Sequence, residues 1–353
     1  MKKQTIILLL ISYFGLFYTS SAQTERAIEE PRQVSALFSS EKILPLKMHY
    51  SNKVLKKDTN DSTYIDSDLS VQLEDGSWKV LEIKLRARGN FRRRKCYFPP
   101  AKLKIKKSVA KGTVFEGNKK LKLVLPCLLQ NSSNDEVVKE YMAYKLYEVI
   151  APYHFKTRIV EIDLAEEKGN SIKDHHLKGI LIEDDELIAK RHNGNVLDRS
   201  VHPLQQDAKT SVENAFFQYM IANTDFSTAF QHNEKLLFID KKTMPIPYDF
   251  DMCGLVDASY AVVSQVQGES MDITDVKQRY YRGFKRSPEI YTQVREAYLS
   301  HKTQFLAVVD QLGPYFENPK EHAIAKEFIE DFFPIIENEK TFKLEILDKA
   351  RVK

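Results

Sequence analysis

The 353-residue chain contains only three cysteines, too few for a small disulfide-dense scaffold. Beyond residue 22 it has no apolar run approaching the roughly 20 residues that a membrane-spanning helix needs. It lacks HExxH, CxxC and GxSxG, so zinc-protease, thiol-redox and serine-hydrolase chemistry have no support. A GxGxxG loop, internal repeats and low-complexity tracts are absent too. At 42% hydrophobic and 29% charged residues, the chain is too apolar for a disordered tail and too polar for a multispan membrane protein. What is left is a globular chain long enough to bury one large core or two.

The N-terminus reads as an address. Lys2 and Lys3 precede a short apolar stretch from Thr5 to Tyr18, and Ser20-Ser21-Ala22 offers small residues for cleavage before Gln23. This is the pattern of a signal peptide over residues 1–22. A signal anchor is the alternative, but the apolar run is short for one. The expectation is an exported mature chain of about 331 residues, periplasmic or extracellular. Export permits a disulfide. Cys96 precedes a strand-like segment at 101–107 and Cys127 ends another at 121–127. If those strands are antiparallel neighbours, the sulfurs can meet, a bridge worth roughly 3–4 kcal/mol; otherwise both are buried thiols. Cys253 is left over.

Residues 23–42 read as a flexible leader. Val71 and Leu73 alternate before Asp75-Gly76, and Ile83 and Leu85 after it, which predicts a hairpin over 69–89 with a type I′ turn. Strands are expected at 101–107, 121–127, 158–165 and 177–183. Ser133 and Glu136 form a capping-box pattern opening a helix to about Ile150. Further on, 209–222 reads as a helix and 235–251 as a hairpin. Helices are expected at 286–311, 319–333 and 335–350. The expected class is α+β, with a β-rich lobe over 43–190 and a mainly helical lobe over 191–353.

The net charge of +4 hides an uneven distribution. Between Lys84 and Lys122 there are fifteen Lys or Arg and one acid, Glu116. Arg86, Arg88, Arg92, Arg93, Arg94 and Lys95 cluster around Gly89-Asn90. A glycine beside convergent guanidinium groups suits a phosphate: the backbone can approach and the forks match the oxygens. A solvated basic face is the bland alternative, and an anionic polymer a third. Few aromatics are interleaved and no nucleic-acid motif is present, which argues against nucleic acid.

A second constellation is acidic. Asp225 follows the helix at 209–222, Asn233 precedes the hairpin, and Asp249 and Asp251 end it. A hairpin returns its ends to one region, so these hard oxygen ligands can gather. Mg²⁺ takes one or two carboxylates plus phosphate oxygens, and a further Asp can orient the nucleophile's proton. Turn chemistry is the bland reading of the same residues.

Taken in order, RARGNFRRR (86–94), KLKIKK (102–107), KLKLVLP (120–126), KEYMAYKLYEVI (139–150), ANTDFS (222–227) and PYDFD (247–251) resemble the CotH kinase family, the spore-coat-protein-H-like atypical kinases. The resemblance covers about residues 70–260 and is closest to secreted bacterial members. It implies a two-lobed protein-kinase-like fold that uses ATP and Mg²⁺ to phosphorylate Ser or Thr of a protein substrate. By position, Asp225 matches the catalytic Asp, and Asp249 and Asp251 match the metal acids, with Asn233 as a further ligand. Arg88 and Asn90 belong to the phosphate-facing RGN segment. Lys104 is the first choice for the nucleotide lysine and Lys122 the second, with Glu140 as its partner. The chain departs from ordinary kinases in placing Phe230 where a metal Asn is usual, five residues after Asp225. The alternative reading is a catalytically inactive module that docks an anionic surface or partner through its basic half.

Overall fold

The computed structural model describes residues 34–130, 132–264 and 271–352. The signal-peptide reading of 1–22 and the leader up to residue 33 lie outside them. Alternating apolar residues set the first sheet. In β1 (Leu44–Tyr50), Leu44, Leu46, Met48 and Tyr50 point inward between exposed neighbours. The same two-residue period orders β2 (Ile65–Gln72), β3 (Trp78–Ala87) and β4 (Ala101–Ile105), while β5 (Lys120–Val124) is buried throughout after its first residue. After a helix come β6 (Thr157–Lys168) and β7 (Ser171–Ile182). The seven strands close into a barrel in the order β1-β2-β3-β4-β5-β7-β6. β6 runs antiparallel to β7 but parallel to β1, with Leu44 opposite Val160, and that pair completes the ring. Leu69, Leu81, Ile83, Leu103 and Leu121 fill the interior, so Lys84 and Lys104 stand on the outer face.

Eleven helices accompany the strands among the described residues. Three short ones are threaded through the barrel: α1 (Asn52–Asp58), α2 (Phe91–Lys95) and α3 (Lys107–Ala110). The long α4 (Ser133–Ile150) lies between β5 and β6. It is followed by α5 (Asp185–Arg191) and α6 (Ala208–Met220). A small sheet of β8 (Asn195–Leu197), β9 (Glu234–Ile239) and β10 (Lys242–Pro247) is ordered β10-β9-β8. The chain finishes with α7 (Pro288–Ser300), α8 (Lys302–Leu312), α9 (Pro319–Glu330), α10 (Phe333–Glu337) and α11 (Glu339–Phe342).

This architecture overturns the expectation of a two-lobed protein-kinase-like fold with a β-rich N-lobe and a helical C-lobe. The barrel is closed and mixed, not an open antiparallel sheet. Closure depends on β1, which falls just after the supposed leader, and on its parallel partner β6. Strand periodicity shows neither pairing nor direction. Nor do the helices form a separate core. Val124, Ile159, Ile180 and Ile182 from the barrel end share one apolar cluster with Tyr141 and Leu146 of α4 and with Phe216, Phe305 and Phe332 of the later helices.

Local readings differ in instructive ways. Of the supposed leader, residues 36–38 form a 3-10 turn that buries Leu37 and Phe38. In the turn between β2 and β3, Gly76 alone has a positive φ (82°), and its N–H bonds to Leu73 O at 2.9 Å. One left-handed residue cannot make a type I′ turn, which needs two. The two-residue turn with positive φ at both positions is Asp240-Lys241, between β9 and β10. The capping box at Ser133 does not form: the Ser133 hydroxyl is buried without a partner, and Ser132 holds the cap position without a side-chain bond. Asp135 instead accepts from the Glu317 and Asn318 N–H groups at 2.7 and 3.0 Å. The 286–311 helix is two, meeting at His301.

Cys96 and Cys127 are joined in a disulfide spanning 31 residues, and Cys253 is free and buried. The bridge fastens the end of α2 to the segment after β5. Reduction, or Cys96→Ser, is expected to destabilise the protein by about 4 kcal/mol. Urea unfolding with and without reductant measures this; equal midpoints would discard a stabilising role.

Candidate functional site

A cleft of about 1010 Å³ lies between the barrel and the loops around β9 and β10. One side is basic. β3 ends at Ala87, and Arg88 continues its edge by donating its N–H to Pro100 O at 2.8 Å. Gly89 turns the chain with φ +79°, a conformation costly for residues with a side chain. Asn90 then leads into α2. Arg86, Arg88, Asn90 and Arg92 line this wall. At the mouth Arg86 pairs with Asp61 at 2.9 Å, an exposed contact of little energetic worth.

The opposite side is acidic. Asp225 sits in the loop after α6, where its N–H donates to Asn223 Oδ1 at 2.9 Å. Asn233, immediately before β9, donates its amide to the Asp225 carbonyl (2.7 Å) and to Oδ2 (3.0 Å). His232 Nε2 lies 3.3 Å from Oδ1, and Ser264 Oγ donates to the same Oδ1 at 2.8 Å. The bond to Asp225 raises the His232 pKa above the ordinary histidine value. Beyond β10, Asp249 takes a left-handed conformation (φ 66°) and its N–H donates to Tyr144 Oη at 2.9 Å. Asp249 and Asp251 therefore do not share a face of a regular strand; they are loop residues that line one cleft.

Arg92 connects the two sides. It is buried, with Nε 3.6 Å from Asp251 Oδ2 and Nη1 3.5 Å from Glu140 Oε2 of α4. Nη2 donates to Leu125 O at 2.8 Å. Burial opposes the Arg92 charge, yet Tyr260, Asp251, Glu140 and Asp249 together hold it above the usual arginine value. Burial raises the Glu140 and Asp251 carboxyls, and Arg92 opposes the shift. The Asp251 Oδ2 also accepts from Tyr260 Oη at 3.0 Å.

Of the residues expected at a site, Arg88, Asn90, Asp225, Asn233, Asp249 and Asp251 line this one cleft. Glu140 reaches it through Arg92. Lys104 does not. Its ammonium sits 4.0 Å over the Tyr64 ring on the outer barrel face, beside a separate hollow with Lys84, Lys106 and Lys120. Alternation along β4 puts it there, because Leu103 and Ile105 take the interior. Lys122 is nearer. It is covered by Phe155 and Tyr248, at 4.4 and 5.6 Å from the ring centres, and Tyr248 lines the cleft. Burial brings the Lys122 pKa down to about 8. Sequence reasoning placed Arg92 in the basic cluster but did not single it out, because three consecutive arginines look alike until α2 turns one inward. Tyr260 and Ser264 carried no motif at all.

Among the described residues no three His, Cys, Asp or Glu side chains converge as a metal cage. Mg²⁺ does not require one, since it keeps water and takes substrate oxygens. Two carboxylates lining a cleft opposite arginines are chemically suited to it. The Asn233 amide nitrogen is committed to Asp225, which leaves that residue only Oδ1 as a ligand atom.

Glu234 braces the Asp225 loop. Its Oε2 accepts from Asn214 of α6 at 3.0 Å and from Thr228 at 3.1 Å, while Oε1 is buried without a partner. Burial pushes its pKa up to about 8. The fold thus keeps a proton that the unfolded chain gives up near pH 4.5. The stability it contributes is complete below that pH and is lost as pH rises toward 8. Glu234→Gln keeps both acceptor bonds, so its advantage over wild type should grow by up to about 1.4 kcal/mol per pH unit across that window. Denaturation at pH 5 and pH 8 tests this, and a constant difference between the proteins refutes it.

No protein-family model matches the chain, and no curated protein matches it.

Proposed function

We propose that the chain is an exported phosphotransferase that takes ATP with Mg²⁺ in this cleft and passes the terminal phosphate to a Ser or Thr hydroxyl of a protein. The observation that carries the reading is that Arg86 and Arg88 line the same cleft as Asp225, Asp249 and Asp251, with Arg92 joining the two sides. A triphosphate needs guanidinium forks for its oxygens, and an acceptor hydroxyl needs a carboxylate for its proton. Arg88 suits the phosphates. Asp225, held by Asn233, suits the acceptor: its carboxylate already accepts one serine hydroxyl at 2.8 Å. Asp249 and Asp251 would hold Mg²⁺, which offsets phosphate charge when bound. Lys122 replaces Lys104 as the lysine near the nucleotide. The Cys96–Cys127 bridge supports the exported location, because disulfides persist in oxidising compartments.

A second reading has its own observation. An outer hollow away from the cleft carries Lys84, Lys104, Lys106, Lys119 and Lys120, with Asp66, Asp68, Glu82 and Glu167 offsetting part of their charge. It suits docking of an anionic surface or partner without catalysis, with affinity that falls steeply with salt.

Two measurements separate these readings. Mg²⁺–ATP at about 100 times its Kd should stabilise the fold by about 2.7 kcal/mol. Arg88→Met should reduce that shift and Lys104→Met should not. Labelled ATP should mark a casein-like acceptor, and Asp225→Asn should slow this about 100-fold or more while keeping the nucleotide shift. Absence of any shift with ATP, ADP or AMP removes the phosphotransfer reading and leaves the docking module.

A further inference from the structure

The chain after Asp251 doubles back across the cleft it helps to build. Three polar contacts fix its path. The Ser259 N–H donates to Glu136 Oε1 of α4 at 3.3 Å. The Tyr260 hydroxyl donates to Asp251 Oδ2 at 3.0 Å, with its ring 6.4 Å from Phe91 and under the Arg92 guanidinium at 5.9 Å. The Ser264 hydroxyl donates to Asp225 Oδ1 at 2.8 Å. Val262, Val263 and Ser264 line the cleft, and Ser264 is 7% exposed. One strap thus places hydroxyls on two of the three carboxylates. The one on Asp225 stands where an acceptor hydroxyl must stand for its proton to be taken, on the same cleft as the arginines.

We propose that Ser264 is a phosphate acceptor of this site, modified by its own chain; the inference rests on the phosphotransfer reading above. Asp225 takes the Oγ proton, and Oγ attacks the terminal phosphorus of a nucleoside triphosphate. The new O–P bond forms as the bond from that phosphorus to the bridging oxygen breaks. The nucleoside diphosphate leaves with the electron pair, and the proton passes from Asp225 to solvent. His232, 3.3 Å from the same Oδ1, is the neighbouring group through which that proton can leave. The product carries about two negative charges next to Asp225, within the field of Asp249 and Asp251. Repulsion from this acidic side, with the arginines of the other side attracting the new phosphate, draws the segment off Asp225. Modification therefore lifts the strap, withdraws Tyr260 from Asp251, and clears the cleft for an acceptor from another molecule. The unmodified strap acts as a self-substrate that holds the site closed.

The test uses the full chain with Mg²⁺–ATP, intact-mass measurement and peptide mapping. The expected result is one phosphoryl group on Ser264, with the fraction modified per unit time independent of protein concentration. Asp225→Asn should not gain it. Ser264→Ala should lack phosphate at this position, and Ser264→Thr, which keeps a hydroxyl, should regain it; melting curves confirm that both variants are folded. A casein-like acceptor labelled while Ser264 stays unmodified overturns this inference and leaves the phosphotransfer reading standing. A fraction of Ser264 labelled per unit time that rises in proportion to protein concentration overturns modification by its own chain. No nucleotide binding and no phosphate on any protein overturns both.

Discussion

The candidate site depends on one buried cation. Arg92 is within 3.6 Å of Asp251 and 3.5 Å of Glu140, and it donates to the Leu125 carbonyl. Those partners belong to three separate parts of the chain: the loop after β10, helix α4 and the exit of β5. Charges removed from water cost several kcal/mol each unless geometry and hydrogen bonds repay the loss. Here the repayment is incomplete, since Arg92 Nε and Glu140 Oε1 lack hydrogen-bond partners. A hydrophobic residue of similar size would satisfy packing alone. The guanidinium instead fixes where the arginine-bearing α2 stands relative to Asp251, and so sets the separation of the basic and acidic walls.

Much of the local structure was legible in the chain. α4 was read at its observed ends, because apolar residues recur at helical spacing from Val137 to Val149. Six of the seven barrel strands were visible, β4 and β5 from alternation of leucine with lysine, while β1 was not read as a strand; that alternation also explains the lysine on the wrong face. Lys104 was expected at the nucleotide from the family resemblance alone; residue spacing says which face it shares, not what lies beyond that face. Closure of the barrel was illegible for a physical reason. It comes from β1 meeting β6 across more than a hundred residues, in a parallel pairing that leaves no turn signature between the two. The kinase-like plan failed on that contact and on the single apolar core that unites α4 with the later helices.

The gathering of the site residues was legible in outline. A hairpin returns its ends to one place, which brought Asn233 beside Asp225 and near Asp249. Detail was lost where the backbone leaves regular geometry. Gln231, Asn233 and Asp249 all have positive φ, so the loop cannot be extended from a strand or helix template. Asn233 was read as a metal ligand from its type; in place, its amide holds Asp225. The residues that carried no pattern, Tyr260 and Ser264, act only through tertiary contact.

The disulfide has a consequence beyond stability. Cys96 closes α2, whose own Arg92 donates to Leu125, and Cys127 lies two residues past Leu125. The bridge therefore clamps donor and acceptor of that bond to each other. In a reducing compartment the two ends are free to part, and the arginine wall loses its covalent tie to β5. The same covalent link that resists unfolding also ties the arginine-bearing helix to the strand exit beside the cleft.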